Sequence, residues 1–212
     1  VEEVNAKYPQ GAATLLIKAL TGREVPSGAH SHAVGVIAIN VATAAEIGRL
    51  LPRGQGIQER VITVGGPAIR SKGNYRIPIG TPLRFVLETV GVADNISRVF
   101  LGGPMMGAAV SNLDISITKG VSGVIAFTEN EMPRTSKVYH CIHCGYCVDA
   151  CPLGLSPYKL GLLADQQQYD TMLERFHLND CFECGCCTYV CPSHIPLVQK
   201  FRVAKTMLKK LK

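Results

Sequence analysis

The sequence predicts an α+β protein assembled from three unlike parts. Residues 1–57 carry a helix–strand–helix pattern, and residues 58–128 carry short β-rich runs cut by Gly and Pro. Residues 141–212 are mainly helical in pattern and hold all nine cysteines. The polar, unpatterned stretch "ENEMPRTSKVYH" at 129–140 reads as the linker before them. A chain of 212 residues divides more naturally into two or three small domains than into one large one.

In the first part, "GAATLLIKAL" (11–20) has helical apolar spacing, and Gly22 stands where a helix stop is expected. "VPSGAHSH" is a loop. "VGVIAINV" (34–41) is continuously apolar, as in a strand covered on both faces, and "ATAAEIGRLL" (42–51) is a second helix. This is α/β material, too little of it for a complete sheet.

In the second part the strand candidates are "RVITVGG" (60–66), "YRIPIG" (75–80), "RVFLGG" (98–103) and "SGVIAF" (122–127). One helix, "PLRFVLETVG" (82–91), has Pro82 just inside its start and Gly91 at its end. Four strands and one helix in this order fit a small β-grasp roll. In the third part, Leu160, Leu163, Tyr169, Met172, Leu173 and Phe176 recur at helical spacing between the cysteine runs. Two short helices there would return the second run to the side of the first. After Pro196 an amphipathic helix closes the chain, with Leu197, Val198, Phe201, Met207 and Leu208 on one side.

Composition narrows the function classes. Trp is absent and aromatics are sparse, which disfavours a large nucleic-acid surface. No apolar run approaches the roughly 18 residues that span a bilayer, and no signal-peptide pattern opens the chain. The chain begins at Val1 rather than Met, as a piece of something longer would. Its formal charge of +6 is scattered, apart from the tail "KTMLKKLK" at 205–212. A solvated helix end accounts for that tail, because cations suit a helix C-terminus; docking to an anionic surface is the alternative.

The cysteines carry the chemistry. "CIHCGYCVDACP" (141–152) and "CFECGCCTYVCP" (181–192) share one spacing: three cysteines each separated by two residues, a fourth after three more, then Pro. Thiolates at i, i+3 and i+6 converge on one cubane and leave one coordination site open. The fourth cysteine lies on the following turn and, in two-cluster ferredoxins, reaches the other cluster. Pro after it lacks an N–H and turns the chain away.

Cys141, Cys144, Cys147 and Cys191 are therefore assigned to one [4Fe–4S] cluster, and Cys181, Cys184, Cys187 and Cys151 to the other. A zinc site would leave one cysteine of each run redundant, and a disulfide scaffold does not fit a long cysteine-free neighbour. Cys186 breaks the series and reads as a buried, inert small side chain. Eight thiolates on two cores of charge +2 would bring the chain to a net charge of about +2.

Two clusters on one small domain make a short wire for electrons, and no catalytic residue is assigned. The remaining constellations are weaker. "VGGPA" (64–68) and "LGGPMMG" (101–107) match no phosphate loop and read as tight turns, with Met105 and Met106 as packing. His30 and His32 read as a solvated loop, and His143 as a neighbour of the first cluster.

The succession "YPQG", "LTGREVPSG", "NVATA", "ERVITVGG", "IPIGTPL", "GGPMMG", "ITKGVSG" and "CPSHIPLVQKFR" resembles the RnfC family, a component of the Rnf electron-transport complex, over nearly the whole chain. The resemblance implies an NADH:ferredoxin oxidoreductase that moves ions, in which this component takes electrons from NADH through FMN and passes them along two [4Fe–4S] clusters. It implies other Rnf subunits and, indirectly, ferredoxin as partners, with no nucleic acid. It also implies a peripheral position on the cytoplasmic face of the membrane, reached through those partners.

Residues 1–57 then look like the C-terminal part of an NADH/FMN-binding α/β domain, 58–128 like a soluble-ligand-binding β-grasp (SLBB) domain, and 141–212 like a two-cluster ferredoxin domain. "NVATA" corresponds to a segment lining the flavin, which makes Asn40 and Thr43 candidate FMN contacts. The family's Gly-rich FMN and NADH loop lies upstream of "YPQG", and its usual Glu after that motif is replaced here by Ala12–Ala13. The chain alone is accordingly expected not to oxidise NADH. Two rival readings share its parts: a related flavin and iron–sulfur reductase such as a cobalamin reductase, and a docking module that clusters merely hold together.

Overall fold

The computed structural model describes residues 1–131 and 137–210. Helices α1 (Ala13–Thr21), α2 (Val41–Leu50) and α3 (Leu83–Val90) precede the cysteines. Within and after them come α4 (Tyr146–Asp149), α5 (Pro157–Asp165), α6 (Tyr169–Glu174), α7 (Cys186–Tyr189) and α8 (Leu197–Lys210). The strands are β1 (Glu59–Gly65), β2 (Gly73–Pro78), β3 (Ile96–Leu101), β4 (Ala108–Val110) and β5 (Gly123–Thr128). The chain divides into two compact units, Ile39–Thr135 and Val1–Ala38 with Ser136–Lys212.

The first of these units is built on one mixed sheet in the order β2-β1-β5-β3-β4. Alternation in β1 sends Ile62 and Val64 inward while Val61 stays exposed, and in β5 it buries Val124 and Ala126. That shared inward face sets the register: Val64 pairs with Val124 in the parallel centre, and Ile62 faces Tyr75 in the antiparallel hairpin. A parallel pair needs a crossover, and α3 lies within it. Its Leu83, Val86, Leu87 and Val90 are buried at helical spacing, each contributing roughly 1.5–3 kcal/mol. The four strands and one helix expected for 58–128 are all present in this mixed sheet unit, with one strand more.

The added strand, β4, has the sequence Ala-Ala-Val, too short and too poor in β-branched residues to stand out. Pro82 caps α3 in an extended conformation instead of opening its first turn. Both Gly-rich segments are close backbone approaches. Gly66 holds φ +105°, and a Cβ there would lie 2.2 Å from the Ala126 carbonyl oxygen. At Gly107 it would lie 2.5 Å from the Gly103 carbonyl oxygen.

The strand expected at 34–41 does not form. Ser31–Val34 makes a single 3₁₀ turn, α2 already begins at Val41, and no strand pairs with the residues between. Ile37 is 81% exposed. An apolar run becomes a strand only when a neighbour takes its backbone hydrogen bonds, and none of the described strands does.

Residues 1–57, read from sequence as one stretch, are shared between the two units. The reason for the second half is visible in its bonds. Glu46 of α2, a side chain 8% exposed, takes Arg49 at 2.6 Å and Arg76 of β2 at 3.1 Å. Residues 7–27 are held elsewhere. The Tyr8 hydroxyl donates to the Cys184 carbonyl, and the Ser27 hydroxyl donates to Asp180 at 2.7 Å.

The core of the cysteine-bearing unit joins Leu160, Met172, Leu178 and Phe201, all essentially inaccessible. Helix α8 buries Leu197, Val198, Phe201, Ala204 and Leu208. Met207, expected on that face, is 38% exposed, and Ala204 takes its place in the stripe. Gly161 lets α5 approach α8 closely: a Cβ there would meet Leu197 at 2.6 Å. Of the expected linker, 132–136 lie outside the described residues, while Tyr139 is already tied down, its N–H donating to the Ser193 carbonyl at 3.0 Å.

Candidate metal centres

The two cysteine runs have the same backbone, residue for residue. His143 and Glu183, each just before the second cysteine, hold φ +56° and +61°. Gly145 and Gly185, just after it, hold φ +82° and +88° and start the four-residue helices α4 and α7. Left-handed residues are uncommon outside Gly. Two within three positions curl the chain into a tight loop that turns its thiols to one side. Proximity in sequence does this work, which is why the i, i+3, i+6 spacing was readable.

The fourth cysteines are positioned by packing between the runs. One cavity, of about 280 Å³, is lined by Cys141, Cys144, Cys147 and Cys191, with Tyr139, His140 and Ile142 on its rim. A smaller one is lined by Cys151, Cys181, Cys184 and Cys187 beneath Leu160, Val198 and Phe201. Cys191 thus lines the cavity of the first run and Cys151 that of the second. Among the described residues no three His, Cys, Asp or Glu side chains converge closely enough to hold a single metal ion. The thiols ring a space instead. Four sulfurs around each of two cavities form a donor set suited to iron–sulfur clusters.

Burial sets the electrostatics. It pushes the Cys187 thiol up to about 12, with Cys181 and Cys184 adding to the effect. Burial also raises Cys147 and Cys181, the latter opposed by the Lys205 ammonium. Thiols in such surroundings give up their protons only to strong positive charge, as metal binding supplies.

Cys186 belongs to neither set of four, although its thiol shares a hydrogen bond with Cys184. It lines a different cavity, beside Tyr8, Gln10 and Asp149, and it is partly exposed rather than buried as expected. Its counterpart in the first run is Tyr146, 58% exposed. The first position of these short helices turns outward, so it has no need of a small residue.

The flavin candidates lie in the sheet unit, away from any cysteine run in sequence. Asn40 caps α2, its Oδ1 accepting from the Ala42 N–H at 3.0 Å. It also accepts from Arg60 at 3.4 Å, and the Thr43 hydroxyl accepts from Arg60 at 3.2 Å. Arg60 went unnoticed in the sequence. It is 7% exposed, and its Nε has no partner among the described residues. A charge at the start of an otherwise apolar strand was the available signal. His143 lines the first cavity with its ring edge-on to Tyr158, and His30 lies 5.8 Å from His32 on the exposed loop.

Residues 140–195 match the 4Fe-4S dicluster domain, and residues 1–49 match the Nuo51 FMN-binding domain. Over 98% of its length the chain is 36% identical to the RnfC component of the ion-translocating oxidoreductase complex of Buchnera aphidicola, of which it covers 44%. It is 41% identical over 98% of its length to that of Pasteurella multocida, covering 25%. Over nearly its whole length the chain is similar to the RnfC component of ion-translocating oxidoreductase complexes. The corresponding component of the proton-translocating ferredoxin:NAD(+) oxidoreductase complex of Clostridium ljungdahlii is 42% identical over 82% of the chain and is covered to 38%. The chain thus spans less than half the length of these RnfC relatives. No helix among the described residues is long and apolar enough to cross a membrane.

Proposed function

We propose that this chain conducts electrons through two [4Fe–4S] clusters as part of an Rnf-type, ion-translocating NADH:ferredoxin oxidoreductase. The observation that carries the reading is the division of eight cysteines, four and four, around two cavities within one small unit. When bound, such clusters supply one-electron carriers, and eight protein thiolates leave no iron open for bond chemistry. The chain's own part is to hold them: the left-handed loop residues aim three thiols, and α4 and α7 present the exchanged fourth.

The ligand sets are Cys141, Cys144, Cys147 and Cys191 for one centre, and Cys151, Cys181, Cys184 and Cys187 for the other. Residues 58–128 act as a soluble-ligand-binding β-grasp module, residues 129–140 as a linker and residues 141–212 as the electron-transfer module. Residues 1–57 belong to a flavin domain. The match to an FMN-binding domain over 1–49 supports FMN in the longer protein, with Asn40 and Thr43 as contacts. The Asn40 oxygen already accepts from the α2 cap and from Arg60, so for a flavin it offers its amide N–H, while the Thr43 hydroxyl, which accepts once from Arg60, keeps its O–H.

NADH would meet the longer protein. Its partners are the other subunits of the complex and, through them, ferredoxin. It sits peripherally on the cytoplasmic face of the membrane, attached through those subunits. The deciding experiment is iron and acid-labile sulfide analysis of anaerobically prepared protein. About eight of each per chain, with reversible reduction seen by EPR, is expected. About two zinc ions and no sulfide would overturn the reading.

A further inference from the structure

The two cysteine loops are alike in backbone, so any difference between the centres comes from what the rest of the chain brings to them. The second loop receives two side-chain donors on its own carbonyls. The Tyr8 hydroxyl donates to the Cys184 carbonyl, and the Lys205 ammonium donates to the Cys181 carbonyl at 2.5 Å. Lys205 is held there by Glu183, 3.0 Å away, and is 19% exposed. On the first loop the carbonyl contact is a neutral one, one residue before the ligands: the Ser193 hydroxyl donates to the His140 carbonyl at 2.9 Å, while Lys200, which lines that cavity, is paired with Asp165 at 2.6 Å rather than with a loop carbonyl.

A carbonyl oxygen beside a cluster carries partial negative charge, which opposes reduction. A hydrogen-bond donor or an ammonium placed on it offsets that charge, and reduction potentials respond to such contacts. Both donors act at one centre and come from opposite ends of the chain. We propose that Tyr8 and Lys205 are positioning residues that raise the reduction potential of the centre held by Cys151, Cys181, Cys184 and Cys187 above that of the other. The inference rests on the iron–sulfur reading given above. It makes the second centre the one that electrons fill first.

The test is an EPR-monitored redox titration of the full chain carrying both clusters, compared with Tyr8→Phe and Lys205→Met. Tyr8→Phe removes a hydroxyl and keeps the ring. A Cys144→Ser chain, in which the first centre is damaged, identifies the midpoint that belongs to the second. The expected result is a higher midpoint for the second centre, shifted to more negative values in each variant, with the other midpoint unmoved. Unchanged midpoints, equal shifts at both centres, or loss of iron from the variants would overturn the proposal while leaving the iron–sulfur reading intact. Failure of the unsubstituted chain to bind about eight irons overturns that reading, and the proposal with it.

Discussion

Cys191 shares the wall of one cavity with Cys141, although it ends the other cysteine run. A fourth ligand taken from the neighbouring run would make damage in one run appear at the centre of the other. Cys191→Ser is therefore expected to disturb the centre of Cys141, Cys144 and Cys147, with iron falling toward about four per chain. EPR and Mössbauer spectra of the variant check this. Damage confined to the centre of Cys181, Cys184 and Cys187 would refute the exchange.

Cys186 sits at the outward-turned first position of α7, lining a cavity that contains none of the assigned ligands. Replacing it with Ala leaves iron content and spectra unchanged, whereas Cys187→Ala loses one centre. Iron analysis of the two variants side by side decides the register of the second run. Because Cys186 is partly exposed, it is also the cysteine expected to react with an alkylating agent while the eight ligands are occupied, and to react slowly, since burial pushes its thiol up to about 11.

Glu46 joins α2 to the sheet unit, and its carboxyl is held below the usual range, first by the hydrogen bond from Arg49 and then by Arg76. A carboxylate lowered on folding stabilises the fold above its unfolded value of about 4.3. That contribution is lost as pH falls through the lower folded value. Urea denaturation of the chain should therefore show a midpoint that drops on acidification below about pH 4.3, and Glu46→Gln should flatten this dependence. An unaltered pH profile in the variant would count against the role.

Asn40 is first of all a helix cap. Asn40→Ala removes the bond to the Ala42 N–H and one acceptor of Arg60, at a cost of about 1 kcal/mol. Asn40→Asp keeps the cap and is expected to retain stability. The comparison is read from denaturation midpoints. If both variants are as stable as the parent, Asn40 is not a structural residue, and its place at the start of α2 is left to ligand binding alone.

The sequence by itself determined what is local. Thiols at i, i+3 and i+6 are neighbours for covalent reasons, so the iron–sulfur character of 141–192 was legible before any fold was known. The runs at 60–66 and 122–127 were readable as strands, which form as Glu59–Gly65 and Gly123–Thr128, because alternating or apolar β-branched runs bury one face wherever they are placed. The tertiary structure decided what depends on partners distant in the chain. Residues 34–41 have a strand's composition and stay out of the sheet, since pairing needs a neighbouring backbone that composition cannot supply. Arg60 is buried because Asn40 and Thr43 meet it across a turn of chain that no periodicity describes. Tyr8 and Lys205 reach the same loop from opposite ends of the sequence. Hydrogen bonds of that kind form only after packing has brought their partners together.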